Sequence, residues 1–211
     1  PGLCRLDPNT GIGDPTPAFT YCLNLAEVEV DTKTGKTTVL KFACVDFVGR
    51  IGNIDAVNGQ AYSGIMHGIG FALKEDYADV KKHANMFGAG TSYIKDVPDD
   101  INLIHIDGAI SDGPFGSSGA SEAFQASGHC AVLNGIYNAC GVRIHEIPAL
   151  PEKVKAGLDA IAKGEKPYEP KKYFLGSDMY EELENIKENP VQVGTQSFYV
   201  SLDDPTAERP F

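Results

Sequence analysis

The chain contains 211 residues, 42% of them hydrophobic, which is enough for one large domain or two small domains with a packed core. Its formal net charge of -11 at pH 7 disfavours nucleic acids and anionic membranes as partners. The sequence begins at Pro1 and contains neither a signal-like segment nor an apolar stretch of membrane-spanning length. We therefore expect a soluble piece of a longer protein, or a processed or split subunit.

The cysteines and histidines give no sign of a metal held by side chains. The five cysteines are an odd number without a C-x-x-C pair, which argues against an iron-sulfur site and a disulfide framework in this chain. The five histidines are scattered, without the spacing of metal ligands. Free thiols in a reducing compartment fit this composition best, so we predict a cytoplasmic location.

The N-terminal part of the chain predicts a β-hairpin. Residues 21–30 alternate as a strand, but the apolar phase changes after Leu25, which predicts a bulge near Ala26. A turn at Thr34-Gly35 then leads into a second strand over residues 37–45.

A helix is predicted next, over residues 55–80, with Ile65, Ile69 and Leu73 at helical spacing. Each interior glycine weakens an isolated helix by up to about 1 kcal/mol, so we expect this helix to be buried against a neighbour or a ligand.

The second half predicts a strand over 101–106, a helix over 122–140, a strand over 142–147 and a helix from Pro151 to Lys163. Residues 164–211 are rich in proline and charge. We expect them to form an extended tail, with one short helix over 178–187, that wraps its own domain or a partner.

A glycine-rich loop over residues 113–121 ends at a single carboxylate, Glu122. No lysine or arginine occurs between Lys95 and Arg143, so a buried Glu122 would have to be hydrogen-bonded, neutralised or functional. The simpler interpretation is that Glu122 is one of the acids common in the first turn of a helix. Phe115, in the same loop, could stack on a planar group, although filling the core is the more common role of an aromatic side chain.

Several motifs occur together in one order. They are residues 26–36 (AEVEVDTKTGK), 46–50 (DFVGR), 58–64 (NGQAYSG), 113–122 (GPFGSSGASE), 134–144 (NGIYNACGVRI) and 150–154 (LPEKV). Over roughly residues 12–163 this series resembles the molybdenum-binding subunit of the molybdenum hydroxylases, or xanthine oxidase family. Within that family, the sequences of the motifs are most similar to those of the bacterial aldehyde oxidoreductases. Collinear motifs over such a length are a stronger signal than one glycine loop.

The resemblance implies an α/β (α+β) fold with a mixed sheet and packed helices. Residues 1–163 would be the C-terminal portion of the molybdopterin-binding domain and residues 164–211 the tail. It also implies oxidation of aldehydes to carboxylic acids with water as oxygen source, a molybdopterin cytosine dinucleotide cofactor with Mo, and iron-sulfur clusters in another segment or chain. Companion chains would complete the molybdenum domain, and this chain alone would be inactive.

By the same resemblance, Glu122 would be the general base and the amide of Gln60 would hydrogen-bond the cofactor; a helix-surface glutamine is the alternative for Gln60. Ser118, Gly119, Ala120 and Ser121 would form a cofactor-binding set, with no protein ligand to the metal. Many relatives have Gly-x-Gly-Glu at this loop, whereas Ser121 here replaces the second glycine. Asp46 is assigned no chemistry.

Two other functions remain open. One is a hydroxylase of heteroaromatic rings of the purine or nicotinate type, which would use the same glutamate. The other is a non-catalytic structural subunit of such a complex.

Overall fold

The structure is a computed structural model that describes residues 6–13, 18–79, 81–110 and 113–165. Two short 3-10 turns, Ile94–Asp96 and Pro114–Gly116, accompany the regular elements. In chain order these are β1 (Tyr21–Val30), β2 (Thr37–Phe47), α1 (Ile54–Leu73), β3 (Asp100–His105), α2 (Glu122–Ala126), α3 (Gly128–Cys140) and α4 (Pro151–Ala162).

The sheet has the order β1-β2-β3 and is mixed. The predicted hairpin is confirmed, because β1 and β2 are antiparallel, whereas β3 joins β2 in parallel. Gly35 closes the hairpin with a φ of 78°, in the left-handed region that favours glycine. A parallel pair needs a crossover, and α1 lies in the segment between β2 and β3. The sheet therefore places the ends of β2 and β3 side by side.

The predicted bulge lies in the other strand of the hairpin. Glu27 pairs with Lys41 and Val28 with Val39, so the extra residue is Leu40 of β2. The register shift does lie close to Ala26, between Glu27 and Val28, but β1 itself alternates without interruption and carries no extra residue. Its odd-numbered side chains are exposed, among them Tyr21, Leu23 and Leu25, and the even-numbered side chains are partly buried.

The core lies between the sheet and the helices. Phe42 and Cys44 of β2, Ile65 and Ile69 of α1, and Phe124 of α2 are each at most 1% exposed. The expectation that the glycine-rich helix is buried is confirmed, although α1 ends at Leu73 rather than near residue 80. The backbone N–H groups of Lys74 and Glu75 both donate to the carbonyl of Gly70, which closes the helix.

The helix predicted over 122–140 is interrupted. Ser127, with φ -115° and ψ 0°, separates α2 from α3. Asn24 of β1 reaches this break, where its side-chain amide donates to the carbonyl of Phe124 and to the hydroxyl of Ser127, both at 3.0 Å. The side chain thus satisfies a carbonyl that lacks a helical partner, and this contact between distant residues cannot be read from helical periodicity.

The C-terminal predictions have mixed outcomes. The helix from Pro151 is confirmed, but residues 142–147 form no strand. Val142 is buried and packs instead on Gly157 of α4, where a Cβ would lie 2.5 Å from the valine. The predicted tail with its helix over 178–187 lies outside the described residues from residue 166 onward. In the described part of the chain, no helix is both long and apolar enough to cross a membrane.

Candidate active site

Gln60 lies in the second turn of α1, close to a firmly capped helix start. The side chain of Asn53 accepts a hydrogen bond from the backbone N–H of Ala56 at 3.0 Å, which satisfies one of the free donors of the first turn. The Gln60 side chain is exposed and makes no hydrogen bond within the described residues. Its amide is therefore available to a group outside this chain.

Two glycines of α1 bring this helix against α2 and α3. A Cβ on Gly64 would lie 2.6 Å from the Cβ of Phe124, and one on Gly68 would lie 2.9 Å from the Cα of Gly128. Gln60 lies one turn before Gly64, on the same face of α1. Glu122 lies two residues before Phe124. Close packing of small residues therefore brings together the two elements that carry the predicted base and the predicted amide.

The loop before Glu122 is fixed to the end of β2 and to the segment before β1. The backbone N–H of Ser118 donates to the carbonyl of Val48 at 2.9 Å. The hydroxyl groups of Ser118 and Thr20 lie 2.7 Å apart, and Thr20 also donates to the carbonyl of Gly119. Ser118 is therefore part of the loop framework, which leaves its hydroxyl less available to a ligand than predicted.

The next residues of the loop are open. Within the described residues, the backbone N–H groups of Gly119, Ala120 and Ser121 donate no hydrogen bond, and a Cβ on Gly119 would meet nothing within 4 Å. Ser121 and Glu122 are exposed, and the Glu122 carboxylate has no hydrogen-bond or ion-pair partner in the described part of the chain. The described part of this chain therefore does not bury Glu122. It does present unpaired backbone N–H donors in the loop and an unpaired carboxylate acceptor at Glu122.

A buried polar network was missed by the sequence reasoning. The Asp46 carboxylate of β2, only 1% exposed, lies 2.7 Å from Nδ1 of His105 in β3. The other ring nitrogen of His105 lies 2.7 Å from the side-chain oxygen of Asn58 in α1. Burial raises the pKa of Asp46 above its ordinary value of 3.8, and the hydrogen bond from His105 opposes that increase.

This network links β2 and β3 to α1 at Asn58, two residues before Gln60. Asp46 and His105 are direct partners in the parallel register of β2 and β3. The sequence signal for it was an acid and a histidine at the ends of two apolar strands. Their pairing could not be predicted because parallel register is not encoded in either strand alone.

A prominent cleft among the described residues lies elsewhere. It has a volume of about 760 Å³ and is bounded by the start of β2, the end of α1 and the segment before β3, including Lys74 and Asp96. Neither Gln60 nor Glu122 lines it. In the described ranges no three histidine, cysteine, aspartate or glutamate residues come together as a metal site would require. The predicted site is thus an open surface of this chain.

Comparison with known proteins decides the family. Residues 3–98 match the model of the molybdopterin cofactor-binding domain. The chain is 43% identical over 159 residues to an aldehyde oxidoreductase of Megalodesulfovibrio gigas, an alignment that covers 75% of this chain and 18% of that relative. The crystal structure of the aldehyde oxidoreductase from Desulfovibrio desulfuricans ATCC 27774 matches with a TM-score of 0.68 at 46% identity, over 73% of this chain and 17% of that one.

The chain belongs to the molybdenum hydroxylase family. The predicted resemblance to the molybdopterin-binding domain and the predicted fold class are both confirmed. This molybdenum hydroxylase chain spans about 18% of the length of the aldehyde oxidoreductase that it matches. It is also similar to the probable hypoxanthine oxidase XdhD of Escherichia coli strain K12, with 30% identity over 151 residues that cover 70% of this chain and 16% of that protein.

Proposed function

We propose that this chain supplies Glu122 as general base and Gln60 as a cofactor-binding amide to an enzyme that oxidises aldehydes to carboxylic acids with water as oxygen source. The observation that carries this proposal is the contact of Gly64 with Phe124, because it joins the elements of Gln60 and Glu122. The 43% identity to an aldehyde oxidoreductase supports the substrate class.

Glu122 is suited to accept a proton. Its carboxylate is not engaged by any cation or donor within the described residues, so it keeps both oxygens available as acceptors. In the overall reaction, an aldehyde and water give a carboxylic acid, two protons and two electrons. Glu122 would take one of these protons from the water that becomes part of the acid.

The residues around Glu122 fit a polar, anionic organic cofactor. The free backbone N–H groups of Gly119, Ala120 and Ser121 can donate to phosphate or pterin oxygens, and the Gln60 amide can donate without adding a charge. When bound, the molybdopterin cytosine dinucleotide would supply the two-electron oxidation. The Ser121 hydroxyl, which replaces a glycine found in many relatives, would lie beside the base and could hydrogen-bond either the base or the cofactor.

The electrons would leave through iron-sulfur clusters carried by another segment or chain. Companion chains would also hold the remainder of the molybdenum domain, since both proposed site residues are exposed here. Among the relatives, a nicotine 6-hydroxylase large subunit of Paenarthrobacter nicotinovorans, 32% identical over 143 residues, is named as a subunit, which supports a multichain arrangement.

A heteroaromatic ring hydroxylase is the second candidate. The similarities to a probable hypoxanthine oxidase and to a nicotine 6-hydroxylase subunit favour it, but both identities lie well below 43%. The Glu122 chemistry would be the same, with a ring carbon in place of the aldehyde carbon.

Replacement of Glu122 by glutamine in the complete protein tests the proposal. We expect turnover of aldehydes to fall by at least about a hundredfold while molybdenum content stays unchanged, since a general base contributes 10²–10⁴ in rate. Glu152→Gln is the matched control because Glu152 is also an acid in a first helical turn, that of α4. Near-normal turnover of Glu122→Gln would support the structural-subunit alternative, and turnover of purines in place of aldehydes would support the second candidate.

A further inference from the structure

Phe115 combines two unfavourable features. Its backbone has a φ of 54° and a ψ of 20°, the left-handed region that a bulky side chain rarely occupies. Its side chain is 97% exposed, so of the two roles considered for Phe115, filling the core is ruled out. A strained backbone that presents a fully exposed aromatic ring points to a role outside the folding of this segment.

The ring is presented by a fixed loop. The carbonyl of Gly116 accepts hydrogen bonds from the backbone N–H groups of Arg50 at 2.8 Å and Ile110 at 2.9 Å. Gly49, with a φ of 73°, allows this approach, since a Cβ there would lie 2.3 Å from the same carbonyl oxygen. Because the loop is already held in place, it would lose little conformational entropy when the Phe115 ring binds. A small loss of this kind favours an effective anchor.

The loop of Phe115 leads directly into the proposed site and is hydrogen-bonded to Thr20, which lies between two exposed aromatic residues. It leads within a few residues to Gly119, Ser121 and Glu122. Thr20, which bonds to this loop, stands between Phe19 and Tyr21, whose side chains are 63% and 65% exposed. Exposed aromatic side chains of this kind are typical of the anchors of protein interfaces.

We propose that Phe115 anchors this segment to the remainder of the molybdenum domain by inserting its ring into an apolar pocket there. The matched aldehyde oxidoreductases are more than five times as long as the aligned region, since it covers only 17–18% of them. A cofactor bound at Gly119 to Glu122 has to be enclosed by that remainder, which must therefore approach the loop of Phe115. The inference rests on the proposed function for the place of the cofactor.

Hydroxyl-radical footprinting of the complete protein tests the proposal without measuring turnover. We expect Phe115 to be oxidised roughly tenfold more slowly in the assembled protein than in the same protein unfolded in urea, as for a ring buried at the centre of an interface. Oxidation at the unfolded rate would overturn the proposal. Protection that requires high protein concentration, or that is lost with the molybdenum cofactor, would assign the ring to a second copy or to the cofactor and would also overturn it.

Two variants separate docking from strain. Phe115→Gly relieves the left-handed backbone but removes the ring, whereas Phe115→Leu keeps the strain and part of the apolar contact. If Phe115 is an anchor, amide exchange of residues 113–121 in the assembled protein should be slowest in the wild type, faster in Phe115→Leu and roughly tenfold faster in Phe115→Gly. The reverse order would show that the residue is only strained. Because neither readout depends on Glu122, a failed base assignment leaves this result interpretable.

Discussion

Gly64 of α1 lies directly against Phe124 of α2, with room for a hydrogen atom but not for a methyl group. A Cβ on Gly64 would lie 2.6 Å from the Cβ of Phe124 and 2.9 Å from the backbone nitrogen of Gln125. Because backbone atoms line this contact, a side-chain rotation cannot relieve the clash. The glycine thus sets the separation between the helices of Gln60 and Glu122.

Gly64→Ala should therefore destabilise the chain, although alanine favours an isolated helix. We expect the overpacking to lower the free energy of unfolding by about 1–3 kcal/mol. Gly59→Ala is the control in the same helix, since a Cβ there meets nothing within 4 Å, and it should be stabilising by up to about 1 kcal/mol. Chemical denaturation measures both, and an increase in stability for both variants would contradict the proposed contact.

Asn24 should hold the break between α2 and α3. Asn24→Asp keeps the shape but loses the N–H donors to Phe124 and Ser127, and it brings a carboxylate toward a carbonyl oxygen. We expect a loss of about 1–3 kcal/mol in the free energy of unfolding. Asn102→Asp, on the exposed side of β3, makes the same chemical change and should have little effect. Equal losses in the two variants would argue against a specific role of Asn24.

Asp46 should make stability depend on pH. Because burial raises the pKa of Asp46 above 3.8, the folded chain binds this proton more tightly than the unfolded chain. The contribution is fully present below pH 3.8 and is lost as the pH rises through the raised pKa, so the free energy of unfolding falls over that window. Asp46→Asn should remove this part of the slope. Denaturation curves of both proteins from acid to neutral pH check it, and identical slopes would refute it.

Gln60→Glu should weaken cofactor binding if the amide lies at an anionic cofactor. The substitution replaces a donor by a negative charge, and we expect roughly tenfold or greater loss of affinity, equivalent to about 1.4 kcal/mol. Molybdenum content of the complete protein after dialysis provides the measurement. Asn138→Asp, on an exposed part of α3, makes the same charge change away from the site and should retain the metal. Equal retention by both variants would place Gln60 outside the cofactor site.

Local patterns were sufficient for the hairpin, for α1 and for α4. Alternation, a Thr-Gly turn and the first-turn Pro151 act between neighbouring residues, so the sequence contains the information directly. The collinear motifs were likewise sufficient to indicate the family, and they singled out Glu122 and Gln60 as the residues to test.

Only the tertiary structure decided the rest, because those features depend on contacts between residues far apart in the chain. Asn24 interrupts a helix that begins about a hundred residues later, and Asp46 meets His105 through a parallel register that neither strand encodes alone. The sequence left two roles open for Phe115, stacking on a planar group or filling the core. The carbonyl of Gly116, held by Arg50 and Ile110, fixes a loop that turns the ring to the surface. The sequence by itself determined the hairpin, the helices α1 and α4 and the family, whereas long-range packing determined the break between α2 and α3, where the site residues lie and which of them remain open to a partner.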